Sequence, residues 1–182
     1  MMQSIGLVEL TSIAKGIEVA DAMLKAAQVE LLEAKPTCPG KYIVLISGDV
    51  SAVQSAVEIG KNMGDQAVID YFVLPNVHPS VIQALSATTP VTTIRALGII
   101  ETFSISSLIV AADTAAKAGN VELIEIRPGM GIGGKSFVTL TGDVSSVTAS
   151  VEAGVALASE KGMLVEQVVI PSPHHNLKQY LL

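Results

Sequence analysis

Charged side chains are scarce in this chain of 182 residues, and their scarcity excludes several classes of protein. Only 15% of the residues are Asp, Glu, Lys or Arg, whereas an ordinary soluble domain has about 25%. So few charges cannot coat a small monomer, which indicates that much of the surface is buried against other subunits. The net charge of −6 argues against a nucleic-acid partner, because such binding needs clustered Lys and Arg.

Aromatic residues, cysteine and long apolar runs are also rare. Aromatic residues make up 3% of the chain and Trp is absent, so the core must be built from Ala, Val, Ile and Leu. The single cysteine, Cys38, excludes an internal disulfide and fits a reducing cytosol. No apolar run is long enough to span a bilayer, and the first residues lack a basic stretch before an apolar core. Neither a membrane location nor a signal peptide is expected.

The chain contains an internal repeat, in which one sequence unit occurs twice. Residues 5–9 (Ile-Gly-Leu-Val-Glu) return as residues 97–101 (Leu-Gly-Ile-Ile-Glu). An Asp-x-x-x-Lys-Ala motif and a Gly-Asp-Val-Ser motif also occur twice, and the Gly-Lys pair at residues 40–41 returns at residues 134–135. Copies of about ninety residues are too long for a solenoid repeat, since such repeats span roughly 20–45 residues. The sequence therefore predicts a tandem duplication, with domains at residues 1–90 and 91–182.

Within each copy the pattern is α/β (α+β). Hydrophobic periodicity and turn residues give the order β-α-β-β-α-β, which is the ferredoxin-like arrangement of an antiparallel sheet with helices on one face. Ser12 is expected to cap the first helix. The apolar residues of that helix fall at helical spacing and are predicted to form its core face; they are Ile13, Ile17, Ala20, Leu24 and Ala27.

The candidate functional segment is the loop that holds the only cysteine. It consists of Pro36, Thr37, Cys38, Pro39 and Gly40. Prolines and glycine favour a tight exposed turn, so the thiol is predicted to lie on a rigid loop rather than in the core. An inert, packed cysteine is the alternative. One cysteine cannot hold a metal alone, so a functional thiol requires copies of itself from other subunits.

The corresponding stretch of the second copy is rich in glycine. It contains Gly129, Met130, Gly131, Ile132, Gly133 and Gly134. With Lys135 and Ser136 it matches the phosphate-binding pattern G-x-x-x-x-G-K-[ST], but that motif needs a following helix, and a strand is predicted here. A glycine hairpin whose backbone approaches something closely, such as a symmetry axis, is the favoured interpretation.

The remaining polar residues give no pattern of catalysis. His78, His174 and His175 lack partners at metal-ligand spacing and are expected to cap helices or lie at interfaces. Lys25 and Lys117 each follow an aspartate by four residues, which predicts either a surface ion pair or a contact between neighbouring oligomers. No Ser-His-Asp order or carboxylate pair indicates an enzyme.

The motifs that recur in order in both copies resemble the bacterial microcompartment shell domain over nearly the whole chain. Two fused copies are similar to the tandem-domain shell proteins, whose trimers mimic a hexamer. The Cys-Pro-Gly-Lys loop at residues 38–41 is most similar to the T-type shell subunits of propanediol-utilisation compartments. The resemblance implies two ferredoxin-like shell domains in a pseudohexameric homotrimer, and a structural tile of a cytoplasmic compartment rather than an enzyme.

The resemblance also implies a role for each candidate segment. In the family, the loop between the second and third strands lines a central pore, so the Cys38 loop and the segment 129–134 would alternate around a threefold axis. Three copies of Cys38 would then hold a [4Fe-4S] cluster for electron or cluster transfer across the shell, with an encapsulated redox enzyme as a further partner. Lys25 and Lys117 would lie at the tile edge, against other shell proteins.

Two alternatives remain open on the sequence. In the first, the same tile has an open pore for small metabolites and Cys38 binds no cluster. In the second, the chain is a trimeric ferredoxin-like regulator that uses the segment 129–135 to hold an anion or nucleotide. The chain also differs from the Pro-Arg-Pro-His segment of the family. Residues 75–78 are Pro-Asn-Val-His and residues 171–174 are Pro-Ser-Pro-His. The missing arginine predicts altered lateral packing.

Overall fold

A computed structural model describes residues 4–129 and 133–182, which form two compact units. The division falls between Val77 and His78, whereas the sequence repeat placed it after residue 90. The segment that ends the first sequence copy therefore belongs to the second unit.

The first unit, unit 1, has the predicted element order. Its strands are β1 (Ser4–Leu10), β2 (Glu30–Thr37), β3 (Lys41–Gly48) and β4 (Val68–Leu74). Its helices are α1 (Ile13–Ala26) and α2 (Val50–Gly64). The sheet is antiparallel with the order β2-β3-β1-β4, which confirms the ferredoxin-like prediction.

The second unit, unit 2, repeats this architecture and begins with an additional helix, α3 (Pro79–Leu85). Its strands are β5 (Ala96–Thr102), β6 (Val121–Arg127), β7 (Ser136–Gly142) and β8 (Leu164–Ile170). Its longer helices are α4 (Ile105–Ala118) and α5 (Val144–Glu160), and a short helix, α6 (His175–Lys178), follows β8. The sheet order β6-β7-β5-β8 is the order of unit 1.

The core of each unit lies between the sheet and its pair of long helices. β1 and β3 supply most of the buried side chains of unit 1, because both strands lie in the middle of the sheet. The helices approach closely where the sequence has glycine: a Cβ on Gly6 of β1 would lie 2.6 Å from Val57 and 2.7 Å from Val53 of α2. Small residues therefore set the distance between the layers.

Helix α1 begins as predicted, since the Ser12 side chain accepts a hydrogen bond from the backbone N–H of Lys15 at 3.3 Å. The predicted core face is confirmed for Ala20 and Ala27, which pack in the core, and wrong for its three large residues. The buried residues are Gly16, Val19, Ala20 and Met23, whereas Ile13, Ile17 and Leu24 are exposed. Gly16 faces the sheet because the ring of Tyr42 fills that space; an added Cβ there would lie 2.4 Å from the ring. Ile13, Ile17 and Leu24 thus form an exposed apolar stripe along α1.

Candidate functional site: the Cys38 hairpin and its counterpart

Cys38 lies at the tip of the hairpin that joins β2 to β3. Thr37 and Lys41 are the last paired residues, so Cys38, Pro39 and Gly40 make the connection. Gly40 has φ of +80°, in the left-handed region that favours glycine, and an added Cβ there would meet no atom within 4 Å. The thiol is half-buried, while Pro39 and Gly40 are exposed.

The loop is shorter than the five residues predicted from sequence. Pro36 and Thr37 belong to β2, where they pair with Tyr42 and Lys41. A proline is tolerated there because β2 is the edge strand of the sheet and its N–H groups on one side need no partner strand. The strand thus carries the chain up to the cysteine.

The counterpart in unit 2 joins β6 to β7 through the glycine-rich segment. Gly129 is buried, and a Cβ there would lie 2.7 Å from the carbonyl oxygen of Lys135, so the backbone closes tightly at this point. Gly133 and Gly134 have φ of +67° and +80°. Both need the conformational freedom of glycine.

The other predicted members of this segment, Met130, Gly131 and Ile132, lie outside the described residues. The strand β7 begins at Ser136, the last residue of the motif, which confirms the predicted strand. A helix N-terminus at that position would be needed to bind phosphate through this motif. The match to the phosphate-binding pattern therefore lacks its structural context.

Each hairpin is anchored by a lysine that follows its last glycine. The Nζ atom of Lys41 lies 2.9 Å from Oε1 of Glu9 on β1, and the Nζ atom of Lys135 lies 3.1 Å from Oε1 of Glu101 on β5. Glu9 is buried, whereas the Lys135–Glu101 pair is partly exposed. These pairs join both hairpins to the central strands, and they give the two repeated glutamates a structural role.

Sequence reasoning missed these two ion pairs. The signal was present, since Gly40-Lys41 recurs as Gly134-Lys135 and Glu9 recurs as Glu101. Nothing in the sequence alone connected them, because Lys41 and Glu9 are 32 residues apart and only the pairing of β1 with β3 makes them neighbours.

Two of the three histidines cap helices. Nδ1 of His78 accepts a hydrogen bond from the backbone N–H of Ser80, and Nδ1 of His174 accepts one from Asn176, each at 3.3 Å. Across residues 4–129 and 133–182, no cluster of three or more His, Cys, Asp or Glu side chains could hold a metal ion within one chain. Any metal site involving Cys38 would need thiols from several chains.

The two predicted edge lysines form ion pairs along their helices. Nζ of Lys25 lies 2.6 Å from Asp21, and Nζ of Lys117 lies 2.6 Å from Asp113. Lys25 is largely exposed and Lys117 partly so. Both ammonium groups are thus accessible on α1 and α4, and their role at a tile edge stays a prediction.

Comparison with known proteins matches both units to one family, described as "BMC domain", over residues 4–77 and 96–173. The chain is 48% identical to "Bacterial microcompartment shell protein PduT" of Citrobacter freundii, over 97% of this chain and 96% of that protein. It is 40% identical to "Bacterial microcompartment shell protein EutM" of Escherichia coli K12, over 47% of this chain and 86% of that protein.

A solved structure of a microcompartment protein is also similar to this chain. The crystal structure of a microcompartment protein from Desulfitobacterium hafniense DCB is 74% identical and superposes with a TM-score of 0.90. The match covers 98% of this chain and 99% of that chain. Among the described residues, no helix is both long and apolar enough to cross a membrane.

Proposed function

The chain belongs to the BMC-domain family of bacterial microcompartment shell proteins, and from that premise we propose that three copies form a tile whose pore binds a [4Fe-4S] cluster through Cys38. The protein is a structural component of the shell, in the cytoplasm, and not an enzyme. It associates with other shell proteins. The trimer, the pore and the cluster are the parts of this statement that are proposed.

The position of the only thiol carries the proposal. Cys38 lies at the tip of a hairpin that is anchored at its base by the Lys41–Glu9 pair and has exposed neighbours. A threefold axis beside this tip would bring three thiols together without any rearrangement of the fold. Such clusters usually take four thiolates, so three symmetry-related cysteines would leave one iron for a ligand from outside the protein.

The surroundings of the thiol fit a group of that size. Gly40 leaves open space around the loop, and the glycine-rich segment of unit 2 places little side-chain bulk at the corresponding hairpin. When bound, the cluster would supply one-electron transfer. An encapsulated redox enzyme is the partner that such transfer across the shell would require.

The same observation favours one second candidate, an open pore. Hairpin tips formed by glycine leave room for small polar metabolites to pass, and a half-buried thiol can line a pore without binding metal. The regulator that would bind an anion through residues 129–135 has less support, because a strand follows the motif and Lys135 is paired with Glu101.

Anaerobic purification separates the first two candidates. We expect four irons and four sulfides per three chains, together with brown colour, and we expect Cys38→Ser to lose all of these while the oligomer persists. Pro39→Ala is the matched control, because it alters the same tip and keeps the thiol. A colourless trimer without iron would favour the open pore, and iron retained by Cys38→Ser would refute the proposed ligand.

A further inference from the structure

One packing arrangement occurs in unit 2 and has no counterpart in unit 1. Helix α3 is formed by residues near the end of the first sequence copy, and it lies against α4 and β6. Its residues Val81 and Ala84 are buried there. The backbone N–H of His78 donates a hydrogen bond of 2.8 Å to Oδ1 of Asp113 on α4. The tail of one copy is thus attached to the first long helix and the second strand of the other copy.

The equivalent surface of unit 1, formed by α1 and β2, is exposed. Ile17 on α1 is 57% exposed, whereas its repeat mate Ile109 on α4 is 1% exposed. The other large apolar residues of this surface show the same contrast with their mates in unit 2: Ile13 with Ile105, Leu24 with Ala116, and Leu31 with Leu123. Within residues 4–77, no element occupies the place that α3 occupies in unit 2.

The polar anchor of this surface is also incomplete in unit 1. Both carboxylate oxygens of Asp113 are used, Oδ1 by His78 and Oδ2 by Lys117, and its side chain is 5% exposed. Its repeat mate Asp21 binds Lys25 through Oδ2 at 2.6 Å and is 61% exposed. Within the part of the chain that the structure describes, Oδ1 of Asp21 accepts no hydrogen bond equivalent to the one that Oδ1 of Asp113 accepts from His78.

The tail of the second copy has the local structure of the first tail, but its packing differs: after α6, Leu181 packs against Ile94, Leu97 and Ile124 of unit 2. His174 caps α6 as His78 caps α3, and each histidine follows its strand at the same distance. Leu177, the repeat mate of Val81, is 40% exposed, whereas Val81 is fully buried. Among the described residues, α6 buries no side chain. Helix α6 therefore has the local structure of α3 but lacks the buried contacts that α3 makes.

We infer that the exposed surface of α1 and β2 is the docking site for α6 of a second copy of this chain. The backbone N–H of His174 would donate to Oδ1 of Asp21 of that neighbour, and Leu177 would be buried on its apolar stripe. Such an interface is head-to-tail, and it closes into a ring when the rotation per copy allows it. The inference rests on the proposed trimer and assigns the residues at its junctions.

The test uses two charge substitutions at exposed apolar positions, measured as mass in solution by light scattering. Ile17→Glu places a charge on the docking surface, and Leu177→Asp places one on the docking helix. Since both side chains are exposed in the single chain, both variants are expected to keep their circular dichroism spectrum and to fall from three chains to one. Ile59→Glu on α2 is the matched control, because it adds the same charge at another exposed apolar residue and should remain a trimer.

Mixing the two variants makes the test specific to a head-to-tail contact. The intact α6 of the Ile17→Glu chain can bind the intact α1 of the Leu177→Asp chain, and the complex cannot grow further. We therefore expect a species of two chains in the mixture and single chains in each separate sample. Trimers that persist in both variants, or a mixture that stays monomeric, would overturn this interface while leaving the trimer in place. A monomeric unmodified protein would instead refute the trimer itself.

Discussion

The ammonium group of Lys41 lies 2.9 Å from Oε1 of Glu9, and this pair joins the base of the cysteine hairpin to the central strand of its sheet. Glu9 is almost completely buried, and Lys41 places an ammonium group beside its carboxylate. The geometry of the thiol at the hairpin tip follows from this anchor.

Removal of the lysine should therefore destabilise unit 1 strongly. We expect Lys41→Met to lower the free energy of unfolding by about 3–5 kcal/mol, because it removes the ammonium group that lies 2.9 Å from a buried carboxylate. Lys25→Met removes an exposed pair and should cost at most about 1 kcal/mol. Urea unfolding at equal protein concentration measures both, and similar losses for the two variants would contradict the structural role of Glu9.

Gly6 is predicted to be irreplaceable for a steric reason. Because an added Cβ would lie 2.6 Å from Val57, we expect Gly6→Ala to cost about 1–3 kcal/mol through overpacking. The double variant Gly6→Ala/Val57→Ala should lose less stability than the sum of the two single variants, because the second change makes room for the first. Additive losses in thermal or urea unfolding would show that the contact is not the cause.

The two repeat-mate aspartates should respond differently to truncation. Asp113→Ala leaves the amide of His78 without its acceptor in a buried site, so it should lower the stability of the single chain by about 1–3 kcal/mol. Asp21→Ala should leave that stability unchanged and weaken self-association instead. Unfolding at low protein concentration and mass as a function of concentration separate the two effects. An equal effect of both variants on folding would argue against the interface inferred above.

The edge lysines can be tested separately from the trimer. If Lys25 and Lys117 lie at the tile edge, their replacement by Ala should reduce the extent of sheets seen by electron microscopy without changing the mass of the tile. Lys15→Ala is the control, because Lys15 also lies on α1 and also forms an exposed ion pair, with Glu18. Sheets of unchanged extent would remove the edge role from both lysines.

The sequence predicted the duplicated α/β architecture because strand alternation, capping residues and turn residues all agree within each copy. Ser12 caps α1 in the structure, as the local pattern indicated. The cysteine was placed correctly on a hairpin, although the loop begins two residues later than expected because β2 continues through Pro36.

The face of α1 could not be predicted from periodicity. The helix has apolar residues around more than half of its circumference, and the sheet selects the side with Gly16 because only a small residue fits beside Tyr42. The larger residues Ile13, Ile17 and Leu24 were assigned to the core because they are apolar and fall at helical spacing. An apolar stripe at helical spacing is equally compatible with a core and with an interface, so the second apolar face became visible only in the folded chain.

The position of α3 determines where the chain can be divided into two fragments that each keep their packing. A cut at the sequence repeat, after residue 90, would strip α3 from the half that it covers and leave α4 with a bare apolar flank. A cut after Val77 keeps that half intact. Fragments divided after Val77 are thus expected to be recovered in solution. The sequence repeat alone would have suggested the division after residue 90.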